Sequence, residues 1–227
     1  MKKYIILGLV TLLMSSCAEQ ITRLAQYPKM YEEKPLTIAV MPPINQTHFV
    51  EAKDYFYTTL YTPLCEKGYY VYSPMMTMEM FQTESAYDAE QFLEADLTQF
   101  RNVLGADAAM FTIIKKWNRN NVGGKITADV EYILRSTKTG ETLYNREGNI
   151  TVDTSIYTGS NNKGLFGALL DIAATTVATA ATDKVVAGRM CTVYVLKDMP
   201  EGKYGSKYDQ DQKMAAGKKH VTATLRK

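Results

Sequence analysis

The chain has 227 residues, of which 46% are hydrophobic and 22% charged, and its formal net charge is +2. This length suits one compact domain with tails, and no stretch in the middle has the composition of a linker. Lys2 and Lys3 supply the whole excess of positive charge, so the rest of the chain is neutral. A neutral chain argues against a nucleic-acid partner.

The N-terminus has the order of a bacterial secretory signal. A two-lysine start, an apolar run over residues 4–14 and two serines precede Cys17. The run is shorter than the roughly 20 apolar residues that cross a bilayer. Met-Ser-Ser-Cys resembles the lipobox of bacterial lipoproteins, with Met14 where leucine is usual. The resemblance implies that residues 1–16 are a cleaved signal peptide and that Cys17 carries acyl chains; plain secretion with an ordinary thiol is the alternative.

The remaining chain divides into a tether, a domain and a tail. Residue 18 is alanine and not the aspartate of an inner-membrane retention signal, which favours an outer-membrane anchor with the domain facing the periplasm. Residues 17–34 are polar and mixed in charge, so we predict a lipidated tether. Residues 35–200 are predicted to form a single globular domain. Residues 201–227 are polar and lysine-rich, and we predict a disordered tail there.

The first half of the domain alternates strands with helices. Residues 36–41 are nearly all apolar and end at two prolines, which indicates a buried central strand. Residues 51–67 show a helical stripe of Tyr57, Leu60, Tyr61 and Leu64, with a kink or restart at Pro63 and an end at Gly68. A strand over 69–72, a helix from Pro74 to Phe81, a helix over 92–104 and a strand over 108–114 follow.

The second half changes to hairpins and a long helix. Residues 125–135 alternate apolar and polar side chains, and residues 141–152 return as a second strand after a turn at 137–140. Residues 164–188 are rich in small residues and predict a long helix, while residues 193–196 fit either helix or edge strand. We therefore predict an α/β (α+β) fold, with a mixed sheet of about five strands and three to four helices packed on it.

Three stretches resemble one known family. Residues 63–71, residues 104–117 and, more loosely, residues 199–205 are similar to signature stretches of a bacterial lipoprotein family that includes a meningococcal surface-antigen candidate. The resemblance covers about residues 27–209. It implies a fold distantly similar to the periplasmic domain of the curli secretion lipoprotein and to the N-terminal domain of TolB. It also implies a partner, since members are often encoded beside a curli-secretion-like lipoprotein; no biochemical activity is assigned to the family.

The candidate site residues fall into three groups. A partner surface is predicted from Trp117, which we expect to be exposed, with Leu165, Phe166 and Leu169 on the long helix. The methionines at 75, 76, 78 and 80 belong either to this surface or, as the favoured alternative, to the core. Asn45 and His48 follow the first strand and make a candidate ligand loop. Cys65 and Cys191 are compatible with a disulfide in an oxidising envelope, although buried free thiols are favoured.

The sequence offers several functions. No hydrolase, metalloprotease, CxxC or phosphate-loop motif occurs, and no His/Cys cluster has metal-ligand spacing, so we predict no enzyme activity, no cofactor and no metal. The leading hypothesis is an outer-membrane lipoprotein acting as a non-catalytic subunit of a secretion or transport assembly, by docking to another envelope lipoprotein. Regulation of a peptidoglycan synthase is the first alternative, and a small-molecule-binding or enzymatic envelope protein is the second. A pore made by an inserted hairpin over residues 126–152 ranks below these.

Overall fold

A computed structural model of the protein describes residues 20–83, 88–120, 125–153 and 180–226. These residues form six α-helices, one 3₁₀ turn (Ala89–Phe92) and seven strands. The helices are α1 (Arg23–Gln26), α2 (Pro28–Glu33), α3 (Ala52–Glu66), α4 (Pro74–Thr83), α5 (Thr98–Leu104) and α6 (Ala180–Leu196). The strands are β1 (Thr37–Val40), β2 (Ile44–Asn45), β3 (Tyr70–Val71), β4 (Ala108–Asn120), β5 (Lys125–Ser136), β6 (Thr142–Asp153) and β7 (His220–Arg226).

The seven described strands make one mixed sheet in the order β3-β1-β4-β5-β6-β7, and β2 pairs separately with β4. β1 lies parallel to β3 and β4, whereas β4, β5 and β6 form an antiparallel meander. β7 returns to lie parallel to β6, with His220 opposite Glu147. The predicted mixed α/β class is confirmed, with more strands and helices than expected.

The sheet separates two apolar cores. The larger core lies between one face and helices α2, α3 and α6, and its buried members include Met30, Phe56, Leu60 and Met190. The smaller core lies on the opposite face, under α4, the 3₁₀ turn and α5. Each large side chain buried in this way stabilises the fold by about 1.5–3 kcal/mol. None of the helices in the described ranges combines the length and hydrophobicity that crossing a bilayer requires.

Two predicted helices differ from the structure in their bounds. The helix predicted over 92–104 is a 3₁₀ turn and the separate helix α5. The Asp96 carboxylate accepts hydrogen bonds from the Thr98 backbone N at 2.9 Å and the Thr98 Oγ1 at 2.6 Å, and this side-chain turn separates the 3₁₀ turn from α5. The helix predicted over 164–188 coincides with α6 only from Ala180 onward, and its earlier part lies outside the described residues. Residues 193–196 are the last turn of α6 and not an edge strand.

Helix α3 runs as one element from Ala52 to Glu66 and contains Pro63, so the predicted restart at this proline is wrong. The helix ends at Glu66, close to the predicted end at Gly68. Residues 202–204 contact the chain at this point. Gly202 N donates to Lys67 O at 2.8 Å, and Tyr204 N donates to Gly68 O at 3.0 Å. Gly68 has a φ of +84°, a conformation that side-chain-bearing residues rarely adopt.

The predicted tether is largely part of the domain. Tyr27 and Met30 are buried in the larger core. Thr22 forms an antiparallel β-bridge with Ala215, near the other end of the chain. The polar composition of residues 17–34 suggested a solvated spacer, but the contacts that fold it come from residues far away in sequence.

The described part of the predicted tail, residues 201–226, is also ordered. Asp211 is fully buried, and its carboxylate accepts hydrogen bonds from Arg23 Nη1 at 2.8 Å, the Tyr31 hydroxyl at 3.0 Å and Glu201 N at 3.0 Å. The stretch ends in β7, which adds a strand to the sheet. A buried carboxylate that accepts three hydrogen bonds, one of them from the Arg23 guanidinium, holds a segment whose composition alone predicts disorder.

Candidate docking surface

The predicted ligand loop is a turn held by its own side chain. Asn45 Oδ1 accepts hydrogen bonds from Thr47 N at 3.0 Å and Thr47 Oγ1 at 2.8 Å, and Asn45 Nδ2 donates to Phe49 O at 2.8 Å. Asn45 therefore uses its side chain within the loop. His48 is exposed on the same loop. A ligand-binding role for Asn45 and His48 stays a prediction.

The prediction that Trp117 is exposed is wrong. Its side chain is only 3% exposed, and its ring packs against Tyr55 at 5.8 Å and Phe56 at 5.5 Å between centroids. The cause is a β-bulge between Ile114 and Lys116, which inserts one extra residue into β4. Because side chains alternate along a strand, the extra residue moves Trp117 onto the same core-facing side as Ile114.

The other predicted site residues do not form one site. Leu165, Phe166 and Leu169 lie outside the described residues. Cys65 and Cys191 are free thiols, so the predicted alternative of a disulfide is not realised. Cys191 is fully buried, and burial raises the pKa of its thiol to about 12, which leaves almost no reactive thiolate near neutral pH.

Exposed apolar side chains gather instead around β3, at one edge of the sheet. Tyr70 on β3 is 56% exposed, and Tyr61 on α3 is 39% exposed. Met75 and Met76, in the first turn of α4, are 81% and 66% exposed. Tyr72 follows β3 directly, and its ring meets that of Tyr70 edge-on at 5.6 Å. These five residues are called the β3 edge surface below.

Local structure explains why these side chains point outward. Along residues 69–72 the side chains alternate, so that Tyr69 and Val71 are buried while Tyr70 is exposed. The Tyr72 hydroxyl donates to Leu104 O at 2.6 Å, which ties the strand end to α5. The Tyr57 hydroxyl donates to Pro74 O at 2.7 Å and fixes the start of α4. The surface is therefore presented by anchored elements.

Hydrogen bonding also orients the α3 part of the β3 edge surface. A hydrogen bond with Cys65 raises the pKa of the Tyr61 hydroxyl, so the two side chains are in contact one helical turn apart. The predicted place of Tyr61 in the buried stripe of α3 is wrong, because its side chain is 39% exposed. Met78 packs against the larger core, as favoured for the methionines, whereas Met75 and Met76 do not share that position.

β3 also leaves part of its backbone available. Within the described residues, β3 pairs only with β1, through Tyr70 N to Leu36 O at 2.9 Å and Tyr72 N to Ile38 O at 3.1 Å. The backbone of Val71 therefore faces away from the sheet. An edge strand of this kind is a template for pairing with another chain. The sequence signal for this surface was the run of tyrosines at 69, 70 and 72, which puts aromatic rings on both faces of a strand.

A polar cleft of about 390 Å³ lies between α2, α5 and the β5–β6 turn. Its charged groups are largely paired with each other. Lys29 Nζ lies 3.2 Å from both Glu32 and Glu141, and Arg101 lies 3.5 Å from Asp107. Its Glu33 carboxylate accepts from Ser136 Oγ and Thr139 Oγ1 at 2.6 and 2.7 Å. Nothing in the described ranges groups three or more His, Cys, Asp or Glu side chains as a metal site would require.

A lipobox-like cysteine followed by one mixed α/β domain defines a lipoprotein of the cell envelope. Residues 25–202 match the family described as "Putative lipoprotein GNA1162-like", and the chain belongs to this family. The chain is 27% identical over 187 residues to "Putative lipoprotein NMB1124/NMB1162" of Neisseria meningitidis serogroup B, covering 80% of this chain and 84% of that protein. The family resemblance seen in the sequence is confirmed, and β7 lies beyond the matched region.

Three solved structures also show similarity to this chain. Lipoprotein GNA1162 from Neisseria meningitidis is 21% identical, with a TM-score of 0.48 over 61% of this chain and 95% of that one. The PelC dodecamer from Paraburkholderia phytofirmans is 13% identical, with a TM-score of 0.40 over 74% and 88% of the two chains. The LpoB C-terminal domain from Salmonella enterica is 14% identical, with a TM-score of 0.33 over 61% and 89%.

Proposed function

We propose that this lipoprotein is a non-catalytic subunit of a cell-envelope secretion or transport assembly, held at the outer membrane by acyl chains on Cys17. It works by docking to a partner lipoprotein through the β3 edge surface. The observation that carries the proposal is the concentration of exposed tyrosine and methionine side chains at one edge of the sheet.

The chemistry of the β3 edge surface suits a protein partner. Aromatic residues and methionine are enriched in protein interfaces. Tyr70 and Tyr72 offer large rigid rings, and Met75 and Met76 are flexible enough to adapt to a partner's shape. The free edge at Val71 adds main-chain groups for an incoming extended segment. A partner with an apolar extended segment therefore fits this surface best.

The candidate chemical groups support a role without catalysis. Asn45 is committed to its own turn. Cys191 is buried, and its thiol has a raised pKa. Most charged residues of the polar cleft are paired with each other, and Glu33 accepts hydrogen bonds from two hydroxyls. A catalytic acid, base or nucleophile needs instead to be free and poised near the operating pH.

Reach favours this role over regulation of a peptidoglycan synthase, which needs a tether that extends to the cell wall. The predicted tether would span at most about 60 Å fully extended. Because the chain from Ile21 onward folds onto the domain, only the four residue steps from Cys17 to Ile21 remain to give reach, and their length is at most about 15 Å. A pore is likewise disfavoured, since β5 and β6 are inner strands with side chains in the larger core.

The proposal is tested by a pull-down of the tagged lipoprotein from native membranes in mild detergent, with mass spectrometry of its partners. The test variant is Tyr70→Ser with Met76→Ser. Its matched control is Val50→Ser, at an 82% exposed apolar site before α3. We expect wild type and the control to recover a stoichiometric lipoprotein partner and the double variant to lose it, with all three equally stable.

The outcomes separate the functions. Equal recovery by the double variant would show that docking occurs elsewhere. Recovery of a peptidoglycan synthase would favour the regulatory role. If neither the wild type nor the anchor-free Cys17→Ala form recovers a stoichiometric partner, the assembly role is wrong and the Asn45 and His48 loop becomes the next candidate.

A further inference from the structure

We propose that Ile21, Leu24 and Met214 form a patch that lies on the lipid bilayer, so that the domain rests directly on the membrane that holds its anchor. The three residues are called the membrane patch below. The occupant is a bilayer surface with anionic headgroups. The inference rests on the proposed acylation of Cys17 and is independent of which partner docks at the β3 edge surface.

Two segments from opposite ends of the chain build the membrane patch. Arg23 N donates to Met214 O at 2.8 Å, Leu24 N donates to Gln212 O at 3.1 Å, and Ala216 N donates to Ile21 O at 2.9 Å. These backbone bonds join the start of the domain to residues 212–216. The apolar side chains of the patch are nevertheless left in solvent, with Ile21 60%, Leu24 43% and Met214 38% exposed.

The segments that carry the membrane patch are fixed by a buried ion pair and its hydrogen bonds. Arg23, between Ile21 and Leu24, is buried and forms an ion pair with the fully buried Asp211 at 2.8 Å. The Tyr31 hydroxyl donates to the other oxygen of Asp211 at 3.0 Å. Exposed apolar side chains held on a buried ionic network do not retract into a core. They form a fixed apolar surface, and moving such a surface from water into an apolar phase is favourable.

The short distance to the anchor identifies the lipid bilayer as the apolar phase that the membrane patch contacts. Ile21 is four residues after Cys17, which corresponds to at most about 15 Å of extended chain. The polar headgroup region on each side of a bilayer is about 5–8 Å thick. The patch thus stays close to the lipid surface whichever way the domain turns, and the bilayer is the one apolar phase that the chain cannot leave.

Charge near the membrane patch agrees with an anionic lipid surface. Lys213 lies beside Met214, and Lys218 and Lys219 follow a few residues later, all exposed. None of the three forms an ion pair with a carboxylate among the described residues. Lysines close to a membrane are attracted by anionic headgroups, and this attraction is screened by salt.

The test places an environment-sensitive fluorophore on a single cysteine of the full lipidated protein, reconstituted in vesicles. Leu24→Cys carries the label in a Cys65→Ser background, where Cys17 is acylated and Cys191 is buried. Val103→Cys is the matched control, since Val103 is an apolar residue that is 74% exposed on α5. Vesicles are phosphatidylcholine with and without phosphatidylglycerol.

We expect the Leu24 label to shift to the blue in vesicles containing phosphatidylglycerol, while the Val103 label keeps its aqueous spectrum. The variant Lys213→Glu with Lys218→Glu reduces the shift because it replaces attraction to the anionic headgroups by repulsion. Raising the salt from about 0.1 M to about 1 M also reduces the shift, because the Debye length falls from about 10 Å to about 3 Å.

An aqueous spectrum at Leu24 in both vesicle types would overturn the inference, since the domain would then stand off the bilayer. A blue shift that also appears without vesicles in the Cys17→Ala form, and that grows with protein concentration, would overturn it in favour of a second copy. Loss of a docking partner by the Tyr70 and Met76 variant leaves this readout unchanged, so the two proposals fail separately.

Discussion

Replacement of Gly68 by alanine tests whether the turn over residues 202–205 is fixed to the end of α3. A Cβ on Gly68 would lie 1.9 Å from Gly205 N and 2.6 Å from Tyr204 C, and both atoms belong to backbone. The turn must therefore move and break the hydrogen bonds from Gly202 N to Lys67 O and from Tyr204 N to Gly68 O. Each buried polar group left unpaired costs about 1–3 kcal/mol.

The backbone conformation adds to that cost. A side-chain-bearing residue in the left-handed region costs about 1–2 kcal/mol. Gly105 provides the matched control, because its φ is +69° while the nearest atom to a Cβ there is the Tyr72 hydroxyl oxygen at 3.6 Å. Gly105→Ala thus carries the conformational cost without the collision. We expect Gly68→Ala to lose about 3 kcal/mol or more of the free energy of unfolding, and Gly105→Ala about half of that.

Urea unfolding of the anchor-free Cys17→Ala form measures the difference. With a denaturant dependence of about 2 kcal/mol per molar urea, the unfolding midpoint falls by at least about 1.5 M for Gly68→Ala and by about half as much for Gly105→Ala. Equal shifts for the two variants would refute the reasoning, because the contact between the end of α3 and the 202–205 turn would then contribute nothing beyond backbone strain.

Three further predictions follow from buried groups. Asp211→Leu leaves the buried Arg23 without its partner and lowers stability by about 3–5 kcal/mol in the same urea assay; the double variant Arg23→Met with Asp211→Leu loses less than the summed losses of Arg23→Met and Asp211→Leu, and additive losses would contradict the pairing. Thiol reagents at neutral pH label Cys65 and spare Cys191 until the protein unfolds, as mass spectrometry will show; equal labelling would contradict its burial. Burial raises the pKa of several tyrosine hydroxyls above 10.0, so the unfolded chain loses those protons first, and stability present below a pH of about 10 falls as the pH rises above it. A flat urea midpoint across that range would contradict the burial of Tyr27, Tyr31, Tyr69, Tyr132 and Tyr144.

The order of the longer strands and helices from β1 to β6 could be predicted from periodicity, because each carries its own hydrophobic pattern; the short elements α1, α2 and β2 were not predicted. β7 could not, although Val221, Ala223 and Leu225 do alternate toward the larger core. Its apolar side chains are few and lie in a lysine-rich stretch. The composition of that stretch therefore predicted a disordered tail, although the apolar side chains alternate. What orders this end of the chain is the distant pair of Arg23 with Asp211, and a contact across such a separation leaves no local signal.

The candidate site was harder to predict than the fold. Trp117 faces the core because of a bulge, and a single inserted residue has no mark in the amino-acid pattern. Tyr61 is on the exposed edge of its helix because β3 is short and leaves that edge uncovered in the described structure. Exposure depends on what packs on each face, and helical spacing shows only which residues share a face.

Two of the stretches that carry the family resemblance prove to be one structural unit. Residues 63–71 contain the end of α3, Gly68 and β3, and residues 199–205 contain the turn that binds to them. The Tyr69 hydroxyl also donates to Pro200 O at 2.7 Å, and Lys67 Nζ donates to Lys197 O at 2.7 Å. Because the two stretches are far apart in sequence, the contact between them could not be predicted. The contact also supports β3, which carries part of the β3 edge surface.

The pairing of Thr22 with Ala215 and of Arg23 with Asp211 constrains when this protein can fold. A secreted chain emerges from its N-terminus. Arg23 therefore cannot form its ion pair until Asp211, 188 residues later, has also emerged. β6 likewise waits for β7 before its outer edge is closed. Contacts of such long range are slow to form. The domain therefore completes its fold only after nearly the whole chain has been exported, and a chain truncated before Asp211 lacks the contacts that seal it.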